Sequence, residues 1–180
     1  MPVQIGGPPD HGFQSPLQLL SDCHRRIEHF LNVLERVGMQ AGDALTSEEE
    51  TALQVALRYF REAAPKHTQD EEESLFPRLQ QAGHPEAREA LAKIEMLESD
   101  HVRAATFHEE IERLGQKWAG CGKLEQAERV AFQTRISDLK LLYRTHIDLE
   151  DTVIFPLSSK VLNREEQVAL GLEMAARRRG

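Results

Sequence analysis

The sequence predicts an all-α fold, an up-down-up-down four-helix bundle with a short fifth C-terminal helix. Three observations predict it. Apolar residues recur at alternating spacings of three and four through four long stretches, each the mark of one buried helical stripe. Strand signals, short runs of alternating β-branched and aromatic residues, are nearly absent. The second half of the chain also repeats the first, so two similar helical hairpins joined by short loops pack naturally as one bundle.

Residues 1–14, with Gly6-Gly7-Pro8-Pro9, read as a flexible leader ahead of a helical domain spanning 15–180. Ser15-Pro16 reads as an N-cap and first-turn proline. Leu17, Leu20, His24, Ile27, Leu31 and Leu34 form the stripe of the first helix, and Gly38 and Gly42 are expected to end it. Ser47 and Glu50 have capping-box spacing for the second helix. Its stripe is Leu53, Leu57, Phe60, Ala64, His67 and Glu71. Pro65 falls inside this pattern without breaking its phase, which predicts a kinked helix running to about Gly83.

His84-Pro85 opens a third, long helix with Ile94, Leu97, His101, Ala104, His108 and Ile111 on one face, continuing to Gly115 and Trp118. Gly120 to Gly122 is the expected turn. The fourth helix carries Phe132, Ile136, Leu139, Tyr143, His146 and Glu150, then Val153 and Leu157. Asn163 and Glu166 cap the fifth helix, expected to reach Ala175 and to pack through Val168, Leu170, Leu172 and Met174.

A length of 180 residues suits one domain with a substantial core. The net charge of -8 argues against nucleic acid as a partner, whose binders are usually basic. Arg177-Arg178-Arg179 reads as a solvated tail. Two cysteines, Cys23 and Cys121, form neither a disulfide framework nor a Cys-x-x-Cys zinc pattern, and fit a reduced, cytoplasmic setting. The first residues lack the apolar run of a signal peptide, and no stretch approaches the roughly 20 apolar residues of a membrane span. No membrane association is expected.

The chemistry concentrates in a repeated motif. His67-Thr68-Gln69-Asp70-Glu71 leads to Phe76-Pro77, and His146-Ile147-Asp148-Leu149-Glu150 leads to Phe155-Pro156. Residues four apart share a helical face, so each copy points an imidazole and a carboxylate at one spot. The copies lie 79 residues apart; His24 and His101 lie 77 apart, an offset that also pairs Phe30 with Phe107 and Gly38 with Gly115. A lone histidine on an apolar face is most often a satisfied core residue. Two glutamates on such faces are different, because a buried carboxylate costs several kcal/mol unless paired or bound to metal. Six such residues in a twofold pattern point to a metal site. Imidazole and carboxylate suit iron, manganese, zinc or copper, and six donors from four helices suggest two ions.

These residues carry a resemblance to the hemerythrin family, in its bacterial HHE cation-binding branch, over roughly residues 16–160. The resemblance implies a non-haem di-iron centre of two iron ions with an oxo or hydroxo bridge. It further implies that Glu71 and Glu150 bridge the irons while His24, His67, His101 and His146 are terminal ligands. One departure stands out. Oxygen-carrying members have a His-x3-His pair on the third helix, whereas the residue four after His101 is Ala105. His108, seven residues on, lies about 10 Å along the axis, too far to reach the same ion. It is read as a core histidine, or as a relay beside the site.

The expected function is binding or sensing of dioxygen, or of nitric oxide, rather than enzymatic turnover. With about twelve positions around two ions, the protein set and one bridging oxygen fill about ten, leaving a more open site than a carrier's. That opening supports two alternatives: a di-iron oxidoreductase consuming peroxide or oxygen, and an iron- or redox-responsive interaction module. Of the other candidates, His29 falls off the stripe, His11 and His84 read as solvated, and Glu28 is expected to face outward. Cys23 reads as a small buried thiol, Glu72 and Glu73 as a solvated face, and Tyr143 as a donor behind the ligands.

Overall fold

A computed structural model describes residues 11–40 and 44–179. All regular structure among the described residues is helical. In chain order it comprises α1 (Pro16–Gln40), α2 (Ser47–Glu62), α3 (Ala64–Asp70), a π-helical turn (Glu71–Leu75) and α4 (Phe76–Gln81). Then follow α5 (Pro85–Cys121), α6 (Gln126–Leu149), a second π-helical turn (Glu150–Ile154), α7 (Phe155–Val161) and α8 (Arg164–Arg177). α1 packs on α2, α2 on α5, α5 on α6 and α6 back on α1, which closes the four-helix ring. No helix is long and apolar enough to cross a membrane, among the described residues.

Local sequence explains most of the boundaries, with some corrections. α1 runs through Gly38 to Gln40 rather than ending at the glycine; Gly42 lies outside the described residues. The capping box of α2 sits one residue earlier than expected. Thr46 accepts from the Glu49 amide, and the Glu49 carboxylate takes the Thr46 N–H and O–H. Thr46-x-x-Glu49 satisfies the same spacing as Ser47-x-x-Glu50, and only one register can form. At Pro65 the helix does bend: Ala63 leaves ideal helical geometry, and α3 starts anew at Ala64, where a proline lacking its N–H is tolerated. His84 caps α5 by accepting from the Glu86 amide, and Asn163 with Glu166 forms a complete capping box on α8.

Two apolar cores flank a polar layer. One gathers Ile27, Leu34, Leu57, Ile111, Trp118 and Phe132 with their neighbours, the other Leu20, Leu75, Phe76, Ile94, Ile154 and Met174 with theirs. The predicted stripes hold in the first core. Past Glu150 they slip: the buried residues are Ile154, Phe155 and Ser158, not Val153 and Leu157. The π-helical turn causes the slip, because it inserts one extra residue into the turn and advances the phase. The Phe155 amide bonds to the Glu150 carbonyl, five residues back, and the Phe76 amide bonds likewise to Glu71. Pro77 and Pro156 come immediately afterwards. A proline ring clashes with the carbonyl four residues earlier in a regular α-helix, and the widened turn relieves that clash.

The C-terminal arginines are not a solvated tail. Asp70 is fully buried, and Arg177 and Arg178 reach it at 2.9 and 2.6 Å, with Arg177 also on Ser74 Oγ at 2.7 Å. α8 thereby latches onto the turn that carries Glu71. Its packing residues are Leu170 and Met174, while Val168 and Leu172 face solvent, since alternate residues cannot share a helical face. Residues 11–14 of the expected leader dock as well. His11 bonds to Asp22 through its amide and ring at 2.9 and 3.2 Å, and Arg178 lies over the Phe13 ring. Residues 1–10 lie outside the described residues.

Candidate metal centre

The polar layer brings all six candidate residues together. His24 comes from α1, His67 from α3, His101 from α5 and His146 from α6, while Glu71 and Glu150 open the two π-helical turns. They form two groups that share both glutamates: His24, His67, Glu71 and Glu150, and His101, His146, Glu71 and Glu150. Within each group the donor atoms lie within 4.8 Å of one another. All six residues are buried, the glutamates fully.

The donor atoms converge. Glu71 divides its oxygens: Oε1 lies 3.2 Å from His67 Nε2 and 3.9 Å from His24 Nε2, and Oε2 lies 3.4 Å from His101 Nε2. Glu150 Oε2 lies 3.0 Å from His24 Nε2 and 3.2 Å from His146 Nε2. Yet none of the four carboxylate oxygens has a hydrogen-bond partner, nor does His24 Nε2. Orphaned buried oxygens of this kind cost several kcal/mol as they stand. Cations between them would satisfy every one. Nitrogen and oxygen donors without thiolate suit first-row transition metals.

The groups behind the donors show a crossed arrangement. The lone histidine of each hairpin is held by the other hairpin. His24 donates through Nδ1 to Asp151 at 3.0 Å, and His101 through Nδ1 to Glu72 at 2.8 Å. Phe155 stacks on His24 at 5.3 Å and Phe76 on His101 at 6.4 Å. Each carboxylate fixes the tautomer so that Nε2 presents its lone pair inward. Glu72 is thus more than a solvated face. An acidic residue follows the glutamate in both motif copies, and that repeated pair was the signal available in sequence.

Electrostatics follow from crowding. Burial, and then the Glu150 carboxylate, push the Glu71 carboxyl well above the usual range. Burial also works against ionisation of Glu150, but the His146 and His24 rings, 3.2 and 3.0 Å from its Oε2, hold it low. Burial, followed by His24, drives His67 far below an ordinary imidazole. For His24 burial is outweighed by Asp151 and Glu150, which raise it to about 10. Two carboxylates in one dry site cannot both ionise without compensation, and the opposite shifts of Glu71 and Glu150 report that conflict.

Residues 15–158 match the family described as the hemerythrin HHE cation-binding domain. The chain belongs to that family. It is also similar to an uncharacterized protein of Haemophilus influenzae, 26% identical over 175 residues that cover 92% of this chain and 91% of the relative. As a hemerythrin-family domain it is a metal-binding helical domain, and the clustered histidines and glutamates fit such a site. The other candidates fall outside the cluster. Glu28 and His29 are exposed. Cys23 is buried beside Arg26, with burial pushing its thiol up. Tyr143 bonds to His108 Nε2 at 3.1 Å rather than to a donor, and burial lowers His108 to about 4.

Proposed function

We propose that the chain is a non-haem di-iron protein that binds or senses dioxygen, or nitric oxide, inside the bundle. In this reading His24 and His67 hold one iron, His101 and His146 the other, and Glu71 and Glu150 span both. The observation that carries it is the division of the Glu71 oxygens between two histidine groups, with all four carboxylate oxygens otherwise unpartnered. Iron bound there would supply redox change and coordination positions open to a small ligand. The chain's own residues do the rest. Asp151 and Glu72 keep the Nδ1 protons in place and the Nε2 lone pairs inward. Phe155 and Phe76 close the flanks against water.

Ala105, where carriers have a second histidine, favours a second reading as a peroxide- or oxygen-consuming oxidoreductase, since fewer protein donors leave more positions to substrate. The deciding experiment is metal analysis of protein expressed with ample iron, with absorption spectra under air and under nitrogen. Binding or sensing predicts about two irons per chain and a spectrum that cycles reversibly with oxygen. Multiple turnovers of peroxide would move the assignment to the oxidoreductase. Absence of stoichiometric metal would end both.

A further inference from the structure

We propose that the cleft between α2, α3 and α5 binds a neutral organic molecule carrying one hydroxyl or carbonyl group, seated directly beside the metal centre. The cleft measures about 430 Å³ and ends against His101, His108 and Tyr143. A diatomic ligand needs on the order of one water's share of volume, about 30 Å³. The cleft is more than tenfold larger and falls in the range of small-molecule sites, roughly 300–1,000 Å³.

Its walls set the chemistry. Leu57, Phe60, Ala64, Ala104 and Ile111 give an apolar lining, widened by the small side chains at 64 and 104. At the inner end the Tyr143 hydroxyl and His108 Nε2 share one hydrogen bond. That bond takes up one role of the hydroxyl, which both donates and accepts, so Tyr143 keeps capacity for one polar group on a ligand. Phe60 stacks on His108 at 4.5 Å, which holds the imidazole in place.

Charge excludes ionic ligands. Arg61 is the cationic side chain among the lining residues, and Glu112 engages its guanidinium at 2.7 Å. Glu109 and Glu112 leave the mouth acidic, so a carboxylate or phosphate head is repelled. A cationic ligand would surrender its hydration to an apolar wall with no buried carboxylate to meet it. A neutral amphiphile meets neither penalty. It would bury its carbon skeleton along α2 and α5 and place its polar atom at the Tyr143 hydroxyl, with His101 alongside.

The test is titration of the purified full chain, iron-loaded and iron-free, with 2-naphthol, and with 2-naphthoate as the anionic control. Saturable one-site binding of 2-naphthol is expected in both forms, with naphthoate weaker by roughly tenfold or more. Ala104→Leu, which fills the cleft, should weaken 2-naphthol roughly tenfold while helicity and metal content stay as in the parent. Should Ala104→Leu fail to fold, Ala105→Trp at the exposed mouth takes its place. Absence of saturable binding, equal binding of naphthoate, or undiminished binding to the filled variants would each overturn the proposal. Because the iron-free chain is titrated too, failure here leaves the metal assignment untouched, and failure of the metal assignment leaves this binding measurable.

Discussion

Set side by side, the α2–α5 and α1–α6 flanks of the bundle are built from equivalent stretches, yet one is an apolar cleft and the other a charged groove. The offsets that align the six candidate ligands also align Arg61 with Lys140, Ala64 with Tyr143, and Glu28 with Ala105. On the first flank Ala64 and Ala105 leave open apolar space. On the second, Tyr143 and Glu28 join Lys140 and Arg144 around a groove of about 470 Å³. Inside, by contrast, the two halves are nearly interchangeable: the same donors, the same π-helical turn, the same carboxylate and phenyl ring behind the partner's histidine. A frame that must converge on one spot within hydrogen-bond distances tolerates little change. Flanks facing outward are free to specialise.

The strongest way to break this comparison is at the frame. Glu71→Ala removes a donor common to both groups, so under the proposed two-ion reading metal content should fall from about two ions per chain to below one. His67→Ala and His146→Ala each touch one group and should leave about one ion apiece. Unequal losses from those two variants, measured by elemental analysis, would show that the halves are not equivalent.

A smaller effect sharpens a difference between them. Asp70 has Leu149 as its counterpart, and α8 ties the N-terminal copy down through Arg177 and Arg178. Replacing Arg177 and Arg178 by Ala strands a fully buried carboxylate, which should lower unfolding free energy by about 3–5 kcal/mol. Adding Asp70→Leu, the residue of the other copy, should recover most of that loss. Urea unfolding of metal-free protein measures both; no recovery would mean that α8 acts through packing alone.

The smallest effect concerns one residue pair. Gly38 and Gly115 are counterparts inside helices. A Cβ at Gly38 would meet Phe132 at 3.4 Å, an ordinary contact, so Gly38→Ala should stabilise by up to about 1 kcal/mol through helix propensity. A Cβ at Gly115 would come within 2.7 Å of Leu57 Cδ1, and overpacking costs about 1–3 kcal/mol. Gly115→Ala should therefore be destabilising by about 1 kcal/mol after the helix gain. Thermal melts that moved the same way for both substitutions would contradict this.

Much of this was legible from residues alone because helical periodicity is local. The stripes through His24, His67, His101 and His146 are buried as their spacing implies, and the cap at Asn163 forms as written. What was hidden depends on tertiary partners. Arg177 and Arg178 look like a tail until α8 folds back to reach Asp70. Glu72 looks solvated until α5 brings His101 to it. The burial of Ile154 and Ser158 could not follow from a period of 3.6, because the backbone abandons that period at Glu150.

Those widened turns set the angular frame of everything that follows them. Each lets one continuous helix serve two cores that demand different angular settings, as a gear with one added tooth would. Wound as a regular α-helix with every residue kept, the stretch from Glu71 to Leu75 would rotate everything downstream by one residue's step, about 100°. Phe76 would swing off His101 and Leu79 out of its core, while the donors upstream stayed in place. A single-codon deletion inside the turn would instead take out the added residue and leave the downstream faces where they are. Here the insertion is a timing element, and the bundle keeps time twice.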